Sequence, residues 1–164
     1  MTPGARPVSR AAVTSTFILS LAGLAISGYL TFTHFAGTQF LACSSTGTID
    51  CAAVTTSAQS AFLGVPVAVL GLVNYVAMTA LNSPWGWRAH SYWLHVARFV
   101  LALGAMVFVL WLLAAELLII DHICLWCSGV HVVTFALFVV LSRVSPTQLG
   151  WTLSAERDFD ALVR

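Results

Sequence analysis

The sequence contains no lysine and little charge of any kind. Only 8% of its 164 residues are Asp, Glu, Lys or Arg, whereas a soluble domain carries roughly 25%. That scarcity excludes an ordinary water-soluble fold, and no nucleic-acid partner is expected. Cysteine is also scarce, with four in all, and their spacing does not suit a structural disulfide set. What the chain has in quantity is apolar surface. Hydrophobic residues make up 59% of it and the mean hydropathy is +0.92. These values describe an integral membrane protein. The basic residues are seven arginines, which together with many alanines hints at a GC-rich bacterial genome and a bacterial inner membrane.

Charges and turn signals divide the chain into four apolar runs, at 11–32, 62–81, 98–120 and 124–141. A helix of about 20 residues crosses ~30 Å of hydrocarbon. Gly64, Pro66 and Gly71 fall in the second run and are tolerable in a membrane helix whose neighbours re-satisfy its backbone. The first run is too long for a signal peptide and lacks a convincing cleavage site. The tail, with Arg143, Glu156, Arg157, Asp158, Asp160 and Arg164, is too polar to span. The expected fold is all-α, a four-helix membrane bundle. Residues 1–10 precede it, residues 11–142 form its core with a loop at 33–61, and residues 143–164 follow it.

The arginines orient this bundle. Arg6 and Arg10 precede the first span, Arg88 and Arg98 lie in or beside the loop after the second, and Arg143, Arg157 and Arg164 follow the fourth. The loops at 33–61 and 121–123 contain none. By the positive-inside rule both termini are cytoplasmic, and those two loops are not. All four cysteines then face the compartment in which disulfides persist.

Cys43 and Cys51 form one pair in the polar loop. Cys124 and Cys127 form a Cys-Leu-Trp-Cys motif at the start of the last span. A C-x-x-C closes too small a loop to stabilise much and suits exchange chemistry. A helix N-terminus stabilises a thiolate, which marks Cys124 as the exchanging sulfur. Cys127 lies one turn deeper, where it can face a lipid-soluble oxidant. Two dithiols at one membrane face suggest a route for electrons. The alternatives are a four-thiolate zinc site, which C-x7-C with C-x2-C does not match, and a passive brace.

Other polar residues invite weaker readings. Glu116 lies near the outer end of the third span, where an ionisable group is either functional or reaching interfacial water. Asp121 and His122 are placed to tune Cys124 or relay protons. His34 and Asn74 read as interfacial or inter-helical hydrogen-bond formers. Trp85, Trp87, Tyr92 and Trp93 read as a cytoplasmic aromatic belt, with His90 and His95 in the same loop. No clear His pair suggests haem. Gly23, Ala25, Ser27 and Gly28 suggest close helix packing.

The combination of Cys51-Ala-Ala-Val-Thr-Thr-Ser57, Phe62-Leu-Gly-Val-Pro66, Gly71 and Cys124-Leu-Trp-Cys127 resembles the vitamin K epoxide reductase family in its bacterial form. The resemblance covers nearly the whole chain from first span to last. It implies a four-helix bundle around a quinone (menaquinone, ubiquinone or a vitamin K type), capped by the loop and a short helix, with no metal. It also implies a thioredoxin-fold dithiol partner of the DsbA type. Cys43 would meet that partner, Cys51 would attack Cys124, and Cys127 would lie next to the quinone. Ser57 matches a serine that hydrogen-bonds a quinone carbonyl, favouring developing negative charge there. His131, one turn below Cys127, is a candidate second contact. With no fused thioredoxin-like domain in this sequence, the partner is expected to be separate. Three readings compete: a DsbB-type protein, in which the C-x-x-C comes in the first loop; epoxide reduction of the vertebrate kind; and a disulfide-braced scaffold without catalysis.

Overall fold

A computed structural model describes residues 8–43, 46–89 and 91–149, with the backbone alone for 146–149. Expectations resting on Arg6, His90, Glu156, Arg157, Asp158, Asp160 and Arg164 lie outside the described residues. The first helix, α1 (Arg10–Ala36), opens at Ser9, whose hydroxyl accepts from the Ala12 N–H at 3.2 Å. That bond satisfies one orphan donor of the first turn. Its 27 residues are about 40 Å long. One stripe of α1 is buried: Thr16, Ser20, Gly23, Ser27, Leu30 and Thr33. Steps of three and four residues keep these on one face.

Small side chains on that stripe let α1 approach α3 (Val67–Asn82) and α6 (Leu125–Leu149) closely. Gly23 is required there, because a Cβ would fall 1.9 Å from the Tyr75 ring. Ala25, expected in the same stripe, is exposed on the opposite side, since two residues turn a helix about 200°. Asn82 donates to the Ser20 hydroxyl at 3.1 Å, and the Tyr75 and Thr134 hydroxyls bond at 2.8 Å. The outside of the bundle is apolar, with Ile18, Leu118 and Val132 among its exposed residues. This polar-inside, apolar-outside arrangement suits lipid as the solvent.

Among the described residues, three helical stretches are long and apolar enough to cross a membrane: Arg10–Ala36, Tyr92–Ile120 and Leu125–Ser145. Helix α3 has only 16 residues. The expected run at 62–81 is therefore corrected, because its first five residues are not helical. Strands β1 (Ala61–Phe62) and β2 (Val65–Pro66) pair as a hairpin. Leu63 and Gly64 turn it with φ of 51° and 81°. A left-handed glycine costs nothing; Leu63 is the unusual member.

Past α3, Ser83 caps the short helix α4 (Pro84–Arg88) by accepting from the Gly86 N–H at 3.0 Å. Helix α5 (Tyr92–Ala115) begins before the expected boundary at 98. Arg98 does not mark a helix end. It is 1% exposed, and its Nε and Nη2 donate to the Leu81 carbonyl at 3.0 and 2.7 Å. Nη1 meets His95 Nδ1 at 3.1 Å, and the guanidinium lies 4.0 Å over the Trp87 ring. Trp87 and His95 are consequently buried in a packed cluster, not in an exposed belt. Trp85, Tyr92 and Trp93 are exposed as a belt requires.

Helix α5 widens into a π turn at Glu116–Ile120 and stops at Asp121, which adopts φ 56°. The last helix, α6, continues past the expected end at 141. Its Ser145 is 5% exposed, so the segment from 143 begins as helix.

Candidate active site

One end of the bundle brings both cysteine pairs together. Cys43 and Cys51 form a disulfide with Cα atoms 6.1 Å apart. Asp50 caps the short helix α2 (Cys51–Thr55), its side chain accepting from the Ala53 N–H at 3.0 Å. This start places Cys51 inward, 1% exposed, whereas Cys43 is half-buried. The strand-like residues before each inner cysteine pair with each other. Ile49 and Ile123 form a parallel bridge. The Asp50 N–H donates to the Ile123 carbonyl at 3.2 Å, and the Ile123 N–H to the Thr48 carbonyl at 2.8 Å. This register delivers Cys51 and Cys124 into one buried cluster with Val54, against which Cys43 and Cys127 pack.

Cys124 is fully buried and immediately precedes α6. Its sulfur accepts from the Cys127 N–H at 3.2 Å and from the Cys127 thiol at 2.6 Å. A sulfur at a helix start with two donors aimed at it is favoured as a thiolate. Cys124 and Cys127 are both free, and Cys127 alone of the four cysteines reaches the cavity below.

That cavity has a volume of about 570 Å³, within the range of small-molecule sites. Helices α1, α3, α5 and α6 wall it, and α2 and the hairpin roof it. Its lining is mainly apolar, with Leu70, Phe62, Phe108, Leu112 and Val130 among the walls. Polar groups are few: Ser57, Asn74, Tyr75, Glu116, His131 and the sulfur of Cys127 among them. His131 Nδ1 and Glu116 Oε2 have no hydrogen-bond partner. A flat apolar ring carrying two oxygens fits this donor set, since the walls exclude water and the orphaned polar atoms await partners.

The sequence-based candidates divide cleanly. Ser57, Cys127, His131 and Glu116 all line the cavity. Ser57 donates its hydroxyl proton to the Val54 carbonyl at 2.8 Å, a bond it must exchange to donate to a ligand oxygen in the cavity. Glu116 is 3% exposed, so it does not reach interfacial water. Asp121 is exposed, and His122 is half-buried with its Nδ1 unpartnered. Neither lines the cavity. His34 and Asn74 do. Among the described residues, no group of three or more His, Cys, Asp or Glu is arranged for a metal.

Two residues escaped sequence reasoning. The Tyr29 hydroxyl donates to the Phe40 carbonyl at 3.0 Å and accepts from the Ala42 N–H at 2.6 Å. Trp126, inside the C-x-x-C, donates to the Ala42 carbonyl at 2.9 Å, and its ring lies 4.7 Å from that of Tyr29. Together they clamp the loop just before Cys43. Only the tryptophan between two cysteines gave a visible signal.

A family model described as the vitamin K epoxide reductase family matches residues 15–142, from the first turns of α1 to the late part of α6. The chain belongs to the vitamin K epoxide reductase family. The match includes all four cysteines and every cavity-lining candidate above. No curated protein matches the chain at a significant level. Membership makes the protein a membrane oxidoreductase of disulfide chemistry, from a family that in general uses quinones and works with thioredoxin-like partners.

Proposed function

We propose that this family member is a quinone-reducing thiol–disulfide oxidoreductase that supports disulfide formation outside the cytoplasm. The bundle crosses four times, α3 with its hairpin being the shortest crossing. Both termini lie in the cytoplasm of a bacterial cell, and the cysteine end faces the extracytoplasmic side, a reading the arginine distribution supports. The proposed division is residues 1–10 outside the bundle, 11–142 as the catalytic unit and the rest as tail.

A reduced thioredoxin-fold partner attacks the Cys43–Cys51 disulfide at the half-buried Cys43, leaving as a disulfide and giving a Cys43/Cys51 dithiol. The Cys51 thiolate then attacks Cys124 of a Cys124–Cys127 disulfide, freeing Cys127. Cys43 attacks Cys51 in turn, so the outer disulfide re-forms and the inner pair holds the two electrons. The quinone, bound in the cavity, supplies a two-electron sink. Cys127 would face it, His131 and Ser57, its hydroxyl turned from the Val54 carbonyl, would donate to its oxygens, and closure of the Cys124–Cys127 disulfide completes the turnover.

The observation that carries this reading is the placement of the two pairs. Cys51 and Cys124 share one buried cluster, while Cys127 faces an apolar cavity of ligand size. The test is Cys127→Ser in purified protein given a reduced thioredoxin-fold dithiol and a soluble quinone. Quinone reduction should fall below detection. With the Cys43–Cys51 pair oxidised and no dithiol added, the Cys124 thiolate of the same variant should attack Cys51, giving a Cys51–Cys124 link and a free Cys43, as read by peptide mapping. Retained turnover, or no Cys51–Cys124 link, sinks the relay.

A further inference from the structure

Glu116 is the cavity residue whose presence is hardest to explain by packing. Its neighbours Leu117, Leu118 and Ile119 face outward, 50%, 79% and 63% exposed, while Glu116 itself is 3% exposed. The π turn of α5 starts at this residue, and such turns are frequent at functional sites. Its Oε2 has no hydrogen-bond partner. The carboxyl accepts from the Cys124 backbone N–H and lines the same cavity as Cys127. A buried, half-partnered carboxyl is costly. A leucine would fill the same wall without that cost.

The chemistry supplies a reason. Closing the Cys124–Cys127 disulfide releases the thiol protons, and reducing a quinone to a quinol takes up two. Apolar walls keep water from carrying them. Building on the electron route above, we propose that Glu116 transfers the Cys127 thiol proton to the acceptor oxygen. The Cys127 thiol turns from the Cys124 sulfur to Glu116, its S–H bond breaks and an O–H bond forms at Glu116 as the sulfur becomes nucleophilic. The two electrons leave with formation of the Cys124–Cys127 disulfide, and the Glu116 proton passes to one quinol oxygen. The second proton replaces the one Cys124 gave up on becoming a thiolate, and it enters from the outer aqueous side. His131 orients the acceptor and does not take the thiol proton.

The test needs no quinone. Reduced full-length protein at neutral pH is treated with a small apolar maleimide, and the alkylation rate of Cys127 is followed by peptide mapping. Glu116→Gln should slow that rate at least tenfold, because the thiol loses its local proton acceptor. A carboxylate that acted only as a nearby negative charge would give the opposite sign, since removing it favours the thiolate. Glu116→Leu, which the wall accommodates, should give the same loss and decides the matter should the Gln variant not fold. Single-turnover quinone reduction should fall about 10- to 100-fold in the same variants. An unchanged or faster alkylation rate overturns the proposal, as does a slowing seen in His131→Gln alone. Failure of the Cys127→Ser test instead overturns the electron route, so the two are separable.

Discussion

The protein buries an arginine toward its inner end and a glutamate toward its outer end, and the two are treated oppositely. Arg98 is 1% exposed. It is enclosed by the Leu81 carbonyl, His95 and the Trp87 ring. Glu116 is 3% exposed, yet one carboxylate oxygen has no partner and the group looks into a cavity. A buried charge with a partner at each of its nitrogens holds structure in place. One left open to a cavity keeps capacity for something that comes and goes. The comparison predicts that inner-end substitutions change stability and leave chemistry alone, and that outer-end substitutions do the reverse.

The sharpest way to break it is Arg98→Met. Removing the guanidinium strands the Leu81 carbonyl, at a cost of about 3 kcal/mol. Thermal or denaturant unfolding in detergent should register that loss, while quinone reduction per folded molecule stays within about twofold. A large fall in turnover at unchanged stability would erase the distinction. A second test lies midway along α1 in Gly23→Val, which reaches the cavity wall through Tyr75. A branched side chain against the Tyr75 ring should cost about 2 kcal/mol through overpacking, again read by unfolding.

At the outer end the expected effects are kinetic. Ser57→Ala should reduce quinone turnover about tenfold, equivalent to about 1.4 kcal/mol, with an unfolding transition displaced by less than the Arg98 variant's. Equal losses in both measurements would make Ser57 a structural serine of the roof. The smallest expected effect is that of Trp126→Phe. It deletes the bond to the Ala42 carbonyl but keeps an aromatic ring against Tyr29. A loss of about 1 kcal/mol should appear as slower Cys51–Cys124 exchange in stopped-flow mixing with a reduced partner, with quinone reduction by the prereduced inner pair unchanged.

How far sequence reaches can be judged from particular residues. The cysteine pairs were legible because cysteine is rare here and its spacing carries chemistry. The spans were legible because lipid demands long uncharged runs. The boundary placed at Arg98 misled for the same reason: hydropathy treats any arginine as a helix end. It cannot see that the Leu81 carbonyl, near the end of α3, satisfies the side chain internally. The apolar run at 62–66 likewise gave no hint of a hairpin, because hydropathy is blind to the left-handed turn at Leu63 and Gly64. Ser57 became visible only through its six-residue distance from Cys51. Tyr29 and Trp126 stayed hidden because a side chain bonding a distant backbone carbonyl leaves no pattern in sequence. The inward aim of Glu116 depends on a π turn, which no periodicity announces.

The parallel pairing of Ile49 with Ile123 has one further consequence. The backbone bonds that align the inner cysteines also tie the roof to the helix ends, and Trp126 adds a third tie through Ala42. Any movement of the roof must break those ties and draw Cys51 away from Cys124. The two sulfurs that would exchange therefore meet only while the roof is seated, and the pairing works as a latch on their contact.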